Sequence, residues 1–169
     1  MPVLTPSDQV LLHVANCSAA QLLALRSQGT RNPFPVTATM RQVVSDRLTL
    51  AGDHLRAGDE LLLGSQFRAS IGRHYYAMYH GARAVTYAVT MGDDHERHSD
   101  LPRNLPATMA NVGMLEAELT DARLLRNQAD YDPYPGIVSA WEADARQLAG
   151  RAAAFLQTCE DFALMNGHI

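Results

Sequence analysis

One stretch of the chain concentrates side chains that can bind a phosphate group. Residues 64–92 contain no Asp or Glu, yet they hold three Arg and two His in a chain of net charge −4. Helical spacing places polar and aromatic residues on a single face, which comprises Ala69, Arg73, Tyr76, His80, Arg83 and Tyr87. An apolar stripe on another face comprises Ile71, Tyr75, Met78, Ala82, Val85 and Val89. The sequence therefore predicts one helix with an apolar side and a positively charged, aromatic side.

The residue types on the charged face suit a phosphodiester. A guanidinium such as that of Arg73 binds phosphate oxygens through two parallel hydrogen bonds, and the imidazole of His80 accepts or donates a proton near neutral pH. Tyr76 lies between these two residues, and Arg83 is one turn beyond His80. An alternative interpretation is structural. In that case His80 is a satisfied core or interface histidine, and the arginines pair with acids on other helices.

Two further groups of polar residues are weaker candidates. The loop after this helix contains side chains of the metal-binding type, namely Asp93, Asp94, His95, His98 and Asp100. Because they crowd into one polar segment with no supporting partner, the sequence favours a solvated loop and predicts no metal site. Asp130 and Asp132 lie in a later DYDPYPG segment, where acids are typical turn and cap residues. Neither a Gly-rich phosphate loop nor a nucleotidyltransferase signature occurs in the sequence, and no cofactor is predicted.

The spacing of the apolar residues and the positions of Gly and Pro between them predict five helices with short connections. The expected helical regions are about 5–28, 37–63, 66–91, 105–129 and 138–164, with Gly113 as a break within the fourth. Such a pattern is typical of an antiparallel helical bundle. We therefore predict an all-α fold in a single domain over residues 1–169.

Composition narrows the class of protein. The chain has 169 residues, all fourteen of its basic residues are Arg, and the net negative charge argues against a generally basic nucleic-acid-binding protein. Its two cysteines are far apart and match no disulfide framework or metal motif. The first residues lack the basic region of a signal peptide, and no apolar run approaches the roughly 18 residues that cross a membrane. These features predict a cytoplasmic protein without a membrane partner.

Two segments carry a family resemblance. The string RASIGRHYYAMYHGARA, residues 68–84, resembles the central helix of bacterial and archaeal proteins of the HEPN superfamily, in which a small-residue and Arg lead-in precedes YYAMFHAARA. The string LLRNQADYD, residues 124–132, is similar to their later LRxxADY element. The loop with His95 and His98 lies where those proteins have a histidine-bearing loop. The resemblance covers roughly residues 47–162.

The resemblance implies a fold and partners. HEPN domains are helical bundles that usually dimerise, which implies a HEPN-like bundle over residues 41–165, an N-terminal helical extension over residues 1–40, and a homodimer. The homodimer is also expected because one bundle does not easily bury both the apolar and the aromatic face of the central helix. Many HEPN proteins are metal-independent ribonucleases, including toxins and antiviral effectors, and others are partners of small nucleotidyltransferases. In the toxin subgroup the nuclease motif R-x4-H-x-Y lies near the later element. Here the corresponding Arg is Arg126, but Tyr131 occupies the His position, so the family pair does not transfer.

Three functions follow as alternatives. We predict first a protein that acts on or binds RNA or nucleotide phosphates and works with a nucleotidyltransferase partner in a toxin–antitoxin or defence setting. The second is an active metal-independent endoribonuclease that uses Arg73 and His80, which have R-x6-H spacing on the central helix. In that mechanism His80 takes the 2′-hydroxyl proton, and Arg73, Arg83 or Arg126 stabilises the pentacovalent oxyanion. The third is a catalytically inactive structural adaptor.

The predicted site is one shared cleft between the central helix and the later element, which binds a phosphate-bearing ligand. In the alternative interpretation its arginines pair instead with Asp121, Asp130 and Asp132. Its catalytic candidates are Arg73, His80 and Arg126. Its ligand-binding candidates are Tyr76, Arg83, Asp130 and Tyr131.

Overall fold

The computed structural model describes residues 3–27 and 34–169, and within them the chain is helical and contains no strand. The α-helices are α1 (Pro6–Ala15), α2 (Ala19–Ser27), α3 (Val36–Leu63), α4 (Phe67–Thr90), α5 (Val112–Tyr131) and α6 (Glu142–Met165). Short 3₁₀ helices at Leu101–Asn104 and Val138–Trp141 precede α5 and α6. No helix in these ranges is long and apolar enough to span a membrane. The predicted all-α helical bundle is confirmed.

The first predicted helix is wrong in one respect, because it is two helices. The Asn16 side-chain amide donates to the carbonyl of Leu12 (2.7 Å) and ends α1. The Ser18 hydroxyl then accepts from the Gln21 backbone N–H (3.3 Å), while the Gln21 side chain accepts from the Ser18 N–H (2.8 Å). This reciprocal pair is a capping box, and it starts α2. Most of the predicted loop at residues 29–35 lies outside the described residues.

The fourth predicted helix begins later than expected. Residues 105–111 form turns, and α5 starts only at Val112. Asn111 has a φ of 54°, a left-handed conformation that interrupts a right-handed helix. Gly113 lies inside α5 and does not break it.

α4 is the central helix and packs against α3, α5 and α6. Its predicted apolar stripe is buried, except that Val89 is 45% exposed. On its other face Tyr87 is buried and Arg73 is exposed, with Tyr76, His80 and Arg83 half-buried between these extremes. One chain thus covers the apolar face of α4 and part of the other face, and the homodimer stays a prediction.

The N-terminal helices belong to the same core. α1 and α2 pack on α3, and Val14, Cys17 and Leu22 join the central hydrophobic cluster. The hydroxyl of Tyr87 on α4 donates to the carbonyl of Val14 (2.9 Å). Beyond α4, the backbone of Gly92 lies so close to α2 that an added Cβ would be 2.0 Å from the nitrogen of Ala19. A side chain at this position would force α2 away from the bundle.

One of the two histidines of α4 is structural. His74 is fully buried, and its Nε2 lies 3.1 Å from Oδ1 of Asp59. The Ser70 hydroxyl contacts its Nδ1 (3.2 Å) and donates to the carbonyl of Gly58 (2.9 Å). A Cβ on Gly58 would be 2.8 Å from the imidazole, so glycine permits the close approach of α3 and α4.

Candidate functional site

Six aromatic side chains from α3, α4 and the loop after α4 form what we call the histidine–tyrosine cluster: His54, Tyr75, Tyr76, Tyr79, His80 and His98. The imidazoles of His54 and His80 are stacked, with centroids 5.2 Å apart and an interplanar angle of 8°. His98 stacks on Tyr79 at 4.1 Å. The Tyr76 ring lies between 5 and 7 Å from these imidazoles, at 5.5 Å from His54, 6.4 Å from His80 and 6.2 Å from His98.

Arg126 of α5 joins this cluster to the predicted later element. Its Nη2 donates to the hydroxyl of Tyr76 (2.9 Å). Its Cζ lies 5.4 Å from the ring centroid of Tyr76 and 5.5 Å from that of Tyr131. Its Nε is 2.7 Å from Oδ2 of Asp130, an ion pair that is not aligned as a hydrogen bond. Four predicted site residues, Tyr76, Arg126, Asp130 and Tyr131, therefore lie together.

Arg123 lies one turn before Arg126 on the same helix, and its positive charge is less compensated by nearby acids than that of Arg126. Its Nε is buried and has no hydrogen-bond partner, and Arg123 makes no ion pair within residues 3–27 and 34–169. Burial lowers the pKa of His98, and the charges of Arg126 and Arg123 lower it further. The edge formed by Arg123 and Arg126, which we call the arginine edge, thus carries more positive charge than its neighbours neutralise.

The surroundings of the cluster favour the neutral form of its imidazoles. Burial, reinforced by His54 and by Arg83, lowers the pKa of His80 to about 4. Burial also lowers the pKa of His54, with a further contribution from Arg73, and that of His98. A neutral imidazole has one N–H donor and one acceptor nitrogen, so the cluster offers both kinds of hydrogen-bonding group beside the cationic edge.

Arg73 contacts a different histidine from the one expected. Its side chain is exposed, and its Nη1 lies 3.4 Å from Nδ1 of His54. Because arginine only donates, Nδ1 of His54 is the acceptor in this contact. Arg73 is therefore next to His54, which in turn stacks on His80.

Arg83 is held by an acid that the sequence analysis placed in a solvated loop. Its Nε donates to Oδ1 of Asp93 (2.9 Å), and its Nη2 contacts Oδ2. Arg47 of α3 also pairs with Asp93, at 3.0 Å. Asp93 is only 6% exposed, so the expectation of a solvated loop is wrong at this residue, because two guanidiniums compensate its buried charge. We call Arg47, Asp93 and Arg83 the buried ion network.

The buried ion network connects the N-terminal helices to the core. Arg47 donates to the carbonyl of Ala15 at the end of α1 (2.6 Å), and its guanidinium lies 4.6 Å from the ring centroid of Tyr87. The Asp93 N–H donates to the carbonyl of Cys17 (2.8 Å). Arg83 therefore supports the fold, which matches the structural interpretation of the charged face at this one position.

Arg47 and His54 were missed as candidates by the sequence analysis. They lie seven residues apart on α3, a spacing that puts them on one helical face. The buried positions Val44, Leu48, Ala51 and Gly58 are on the same side of the helix. That periodicity marks the side of α3 that meets α4. It does not identify which α4 residues they meet. In the described part of the chain, no group of three or more His, Cys, Asp or Glu can hold a metal ion.

Comparisons with known proteins add no family assignment. No protein-family model matches the chain, and searches of curated proteins and of solved structures returned no significant match. Membership of the HEPN superfamily therefore stays a proposal that depends on the sequence elements in α4 and α5.

Proposed function

We propose that the chain is a HEPN-like protein that binds the phosphate groups of RNA or of a nucleotide at the arginine edge. The observation that carries this proposal is the charge imbalance there. Arg123 has a buried Nε with no hydrogen-bond partner and makes no ion pair in the described residues. Arg123 is half-buried, and a buried donor without an acceptor is costly, whereas a phosphate supplies acceptor oxygens in the geometry that arginine favours.

The neighbours of Arg126 support recognition of a nucleotide. Tyr76 and Asp130 orient the guanidinium from two sides, and Asp130 is itself partly exposed, with a side-chain exposure of 34%. Tyr131 is 72% exposed, so its ring is available to stack on a base, as aromatic residues do in single-stranded RNA sites. The neutral imidazoles of His80 and His98 supply further donors and acceptors.

The wider setting of this proposal depends on the family resemblance. We propose a homodimer that works with a small nucleotidyltransferase in a toxin–antitoxin or defence role. The chain as a whole is acidic, so its long-range attraction of RNA is weak. This net charge supports a local binding site. Binding would therefore depend on a few well-placed guanidiniums.

A second candidate function is metal-independent RNA cleavage, and the neutral, stacked His80 favours it. The imidazole of His80 would accept the 2′-hydroxyl proton while that oxygen attacks the adjacent phosphorus. Arg126 would stabilise the charged phosphorane, and the departing 5′-oxygen would take a proton from water. A pKa of about 4 makes His80 a weak base at neutral pH, because proton transfer is most efficient when the pKa lies near the working pH. A phosphate beside it would raise this pKa.

Binding of a short single-stranded RNA in EDTA, followed by fluorescence anisotropy, tests the first function. We expect Arg126→Gln and Arg123→Gln each to weaken binding by about tenfold. The matched control is Arg146→Gln, which removes the same charge and the same kind of i,i+4 ion pair, with Glu142 on α6. Equal weakening in all three variants would indicate a nonspecific charge effect and contradict the proposed site.

The same RNA samples, analysed on a denaturing gel, separate binding from cleavage. Cleavage in EDTA that is lost in His80→Ala and kept in Arg146→Gln would establish the second function. Intact RNA with unchanged binding of His80→Ala would exclude His80 as the base and leave phosphate binding alone.

A further inference from the structure

We propose that the chain has a second anion site, away from the histidine–tyrosine cluster, which binds a small phosphate monoester that carries an apolar group. The site is a cavity of about 230 Å³ between the end of α2, the start of α3, the end of α4 and the residues that follow α6. This proposal does not depend on the proposed function.

The charged side chains that line this cavity are two arginines. Arg26 of α2 and Arg41 of α3 line it together with the polar residues Thr37, Asn166 and His168, and none of the described lining residues is Asp or Glu. Neither arginine makes an ion pair within the described residues. Arg26 donates to the hydroxyl of Thr37 (3.4 Å), which holds its guanidinium over the first turn of α3. Burial and the nearby Arg41 lower the pKa of His168, so the imidazole is a neutral hydrogen-bonding group in a positive field.

The helix ends around the cavity do not decide its charge. The first turn of α3 contains no acid and carries roughly half a positive charge, whereas the ends of α4 and α6 carry partial negative charges. The N–H of Val36 in this first turn already donates to the carbonyl of Phe34 (2.8 Å). The two guanidiniums therefore supply the positive charge of the cavity, and because they come from different helices they suit the several oxygens of a phosphate.

The rest of the lining is apolar and sets the size of the ligand. Met40 and Val44 are buried, and Ala88 and Met91 are half-buried around the same space. Sites for drug-sized ligands usually measure about 300–1,000 Å³, so this cavity fits a phosphate with one small ring or short chain, and excludes a whole dinucleotide. His80 and Met91 are about 16 Å apart along α4, so the cavity is not an extension of the histidine–tyrosine cluster.

Titration with phenyl phosphate tests the proposal, read out by NMR of ¹³C-labelled methionine methyl groups. We expect the Met40 and Met91 signals to shift, and Arg26→Gln and Arg41→Gln each to weaken binding at least fivefold. Inorganic phosphate should bind more weakly than phenyl phosphate, because it lacks the apolar group. Both arginines are exposed, so the variants should fold, which circular dichroism would verify.

The matched control is Arg151→Gln, an exposed arginine of α6 that makes no ion pair in the ranges described. It lies about 22 Å along α6 from the cavity and should leave binding unchanged. Absence of shifts at Met40 and Met91 at about 10 mM phenyl phosphate, where even millimolar affinity is saturating, would overturn the proposal. So would weakening by Arg151→Gln equal to that by Arg41→Gln, or loss of binding in Arg126→Gln alone, which would locate the probe at the arginine edge.

Discussion

Two groups of arginines contact the central helix, and their surroundings differ. In the buried ion network, Arg47 and Arg83 share Asp93, whose side chain is 2% exposed. At the arginine edge, Arg126 pairs with Asp130, whose side chain is 34% exposed, and Arg123 has no ion-pair partner among the described residues. Residue type alone therefore does not assign a role to an arginine. The depth of its anion, and whether it has one, decide between support of the fold and availability to a ligand.

The largest expected effect is on stability, at the shared acid of the buried network. Asp93→Asn leaves two guanidiniums without a counter-charge, and breaking a buried pair in this way costs about 3–5 kcal/mol. Asp130→Asn removes a partly exposed ion pair and should cost about 0–1 kcal/mol. Urea denaturation followed by circular dichroism measures both. Similar losses in the two variants would show that the two groups of arginines are energetically alike.

Substitution of one arginine from each group should affect stability and RNA binding in opposite ways. Arg83→Gln should lower the free energy of unfolding by on the order of 3 kcal/mol, with RNA affinity unchanged below the melting temperature. Arg126→Gln should change the free energy of unfolding by about 1 kcal/mol or less, while RNA affinity falls about tenfold. If Arg83→Gln also reduces RNA affinity in folded protein, Arg83 contributes to binding. The buried ion network and the arginine edge would then not differ in function.

Acidification should affect folding and binding in opposite directions. The pKa of His80 falls from its ordinary 6.5 to about 4 in the folded chain, so the unfolded chain binds more protons between these values. Its contribution to stability is complete above pH 6.5 and is lost as the pH falls towards 4. A bound phosphate favours the imidazolium form, so RNA affinity should rise over the same range.

Melting temperatures and anisotropy between pH 7.5 and about pH 5 check both trends. His80→Gln should flatten both dependences, and His13→Gln, an exposed histidine of α1, is the control. RNA affinity that stays constant while stability falls would indicate that no phosphate lies near the imidazoles.

The smallest expected effect is at the hydrogen bond that orients Arg126. Tyr76→Phe keeps the ring under the guanidinium and removes the acceptor hydroxyl. A lost hydrogen bond of this kind is worth about 0.5–1.5 kcal/mol, so RNA affinity should fall only a few-fold, with the melting temperature nearly unchanged. A loss as large as that of Arg126→Gln would assign Tyr76 a direct contact with the ligand.

Local signals in the sequence predicted the central helix well. Gly64 and Gly92 and the apolar rhythm between them gave expected bounds of 66–91 against an observed Phe67–Thr90. The start of α2 was not predicted, although Ser18 and Gln21 have the spacing of a capping box. The grouping of Tyr76 with Arg126 and Tyr131 was expected from the family resemblance.

The ion pair between Arg83 and Asp93 could not be predicted from the sequence in the same way. Asp93 lies ten residues further on, beyond a left-handed turn at Met91, and it is buried only because α2 and α3 pack around that turn. The contact of Arg73 with His54 likewise depends on which face of α3 meets α4. Helical spacing places residues on a face of one helix, and tertiary packing chooses their partners.

The salt dependence of RNA binding tests most directly whether the arginine edge contacts phosphates. For single-stranded RNA, each neutralised phosphate contributes about −0.7 to the slope of log Kobs against log salt concentration. We expect the double variant Arg123→Gln/Arg126→Gln to have a slope shallower by about 1.4 than that of the unsubstituted protein. The control Arg146→Gln/Arg151→Gln should leave the slope unchanged. Equal slopes in the Arg123→Gln/Arg126→Gln variant and the unsubstituted protein would contradict phosphate binding at this edge.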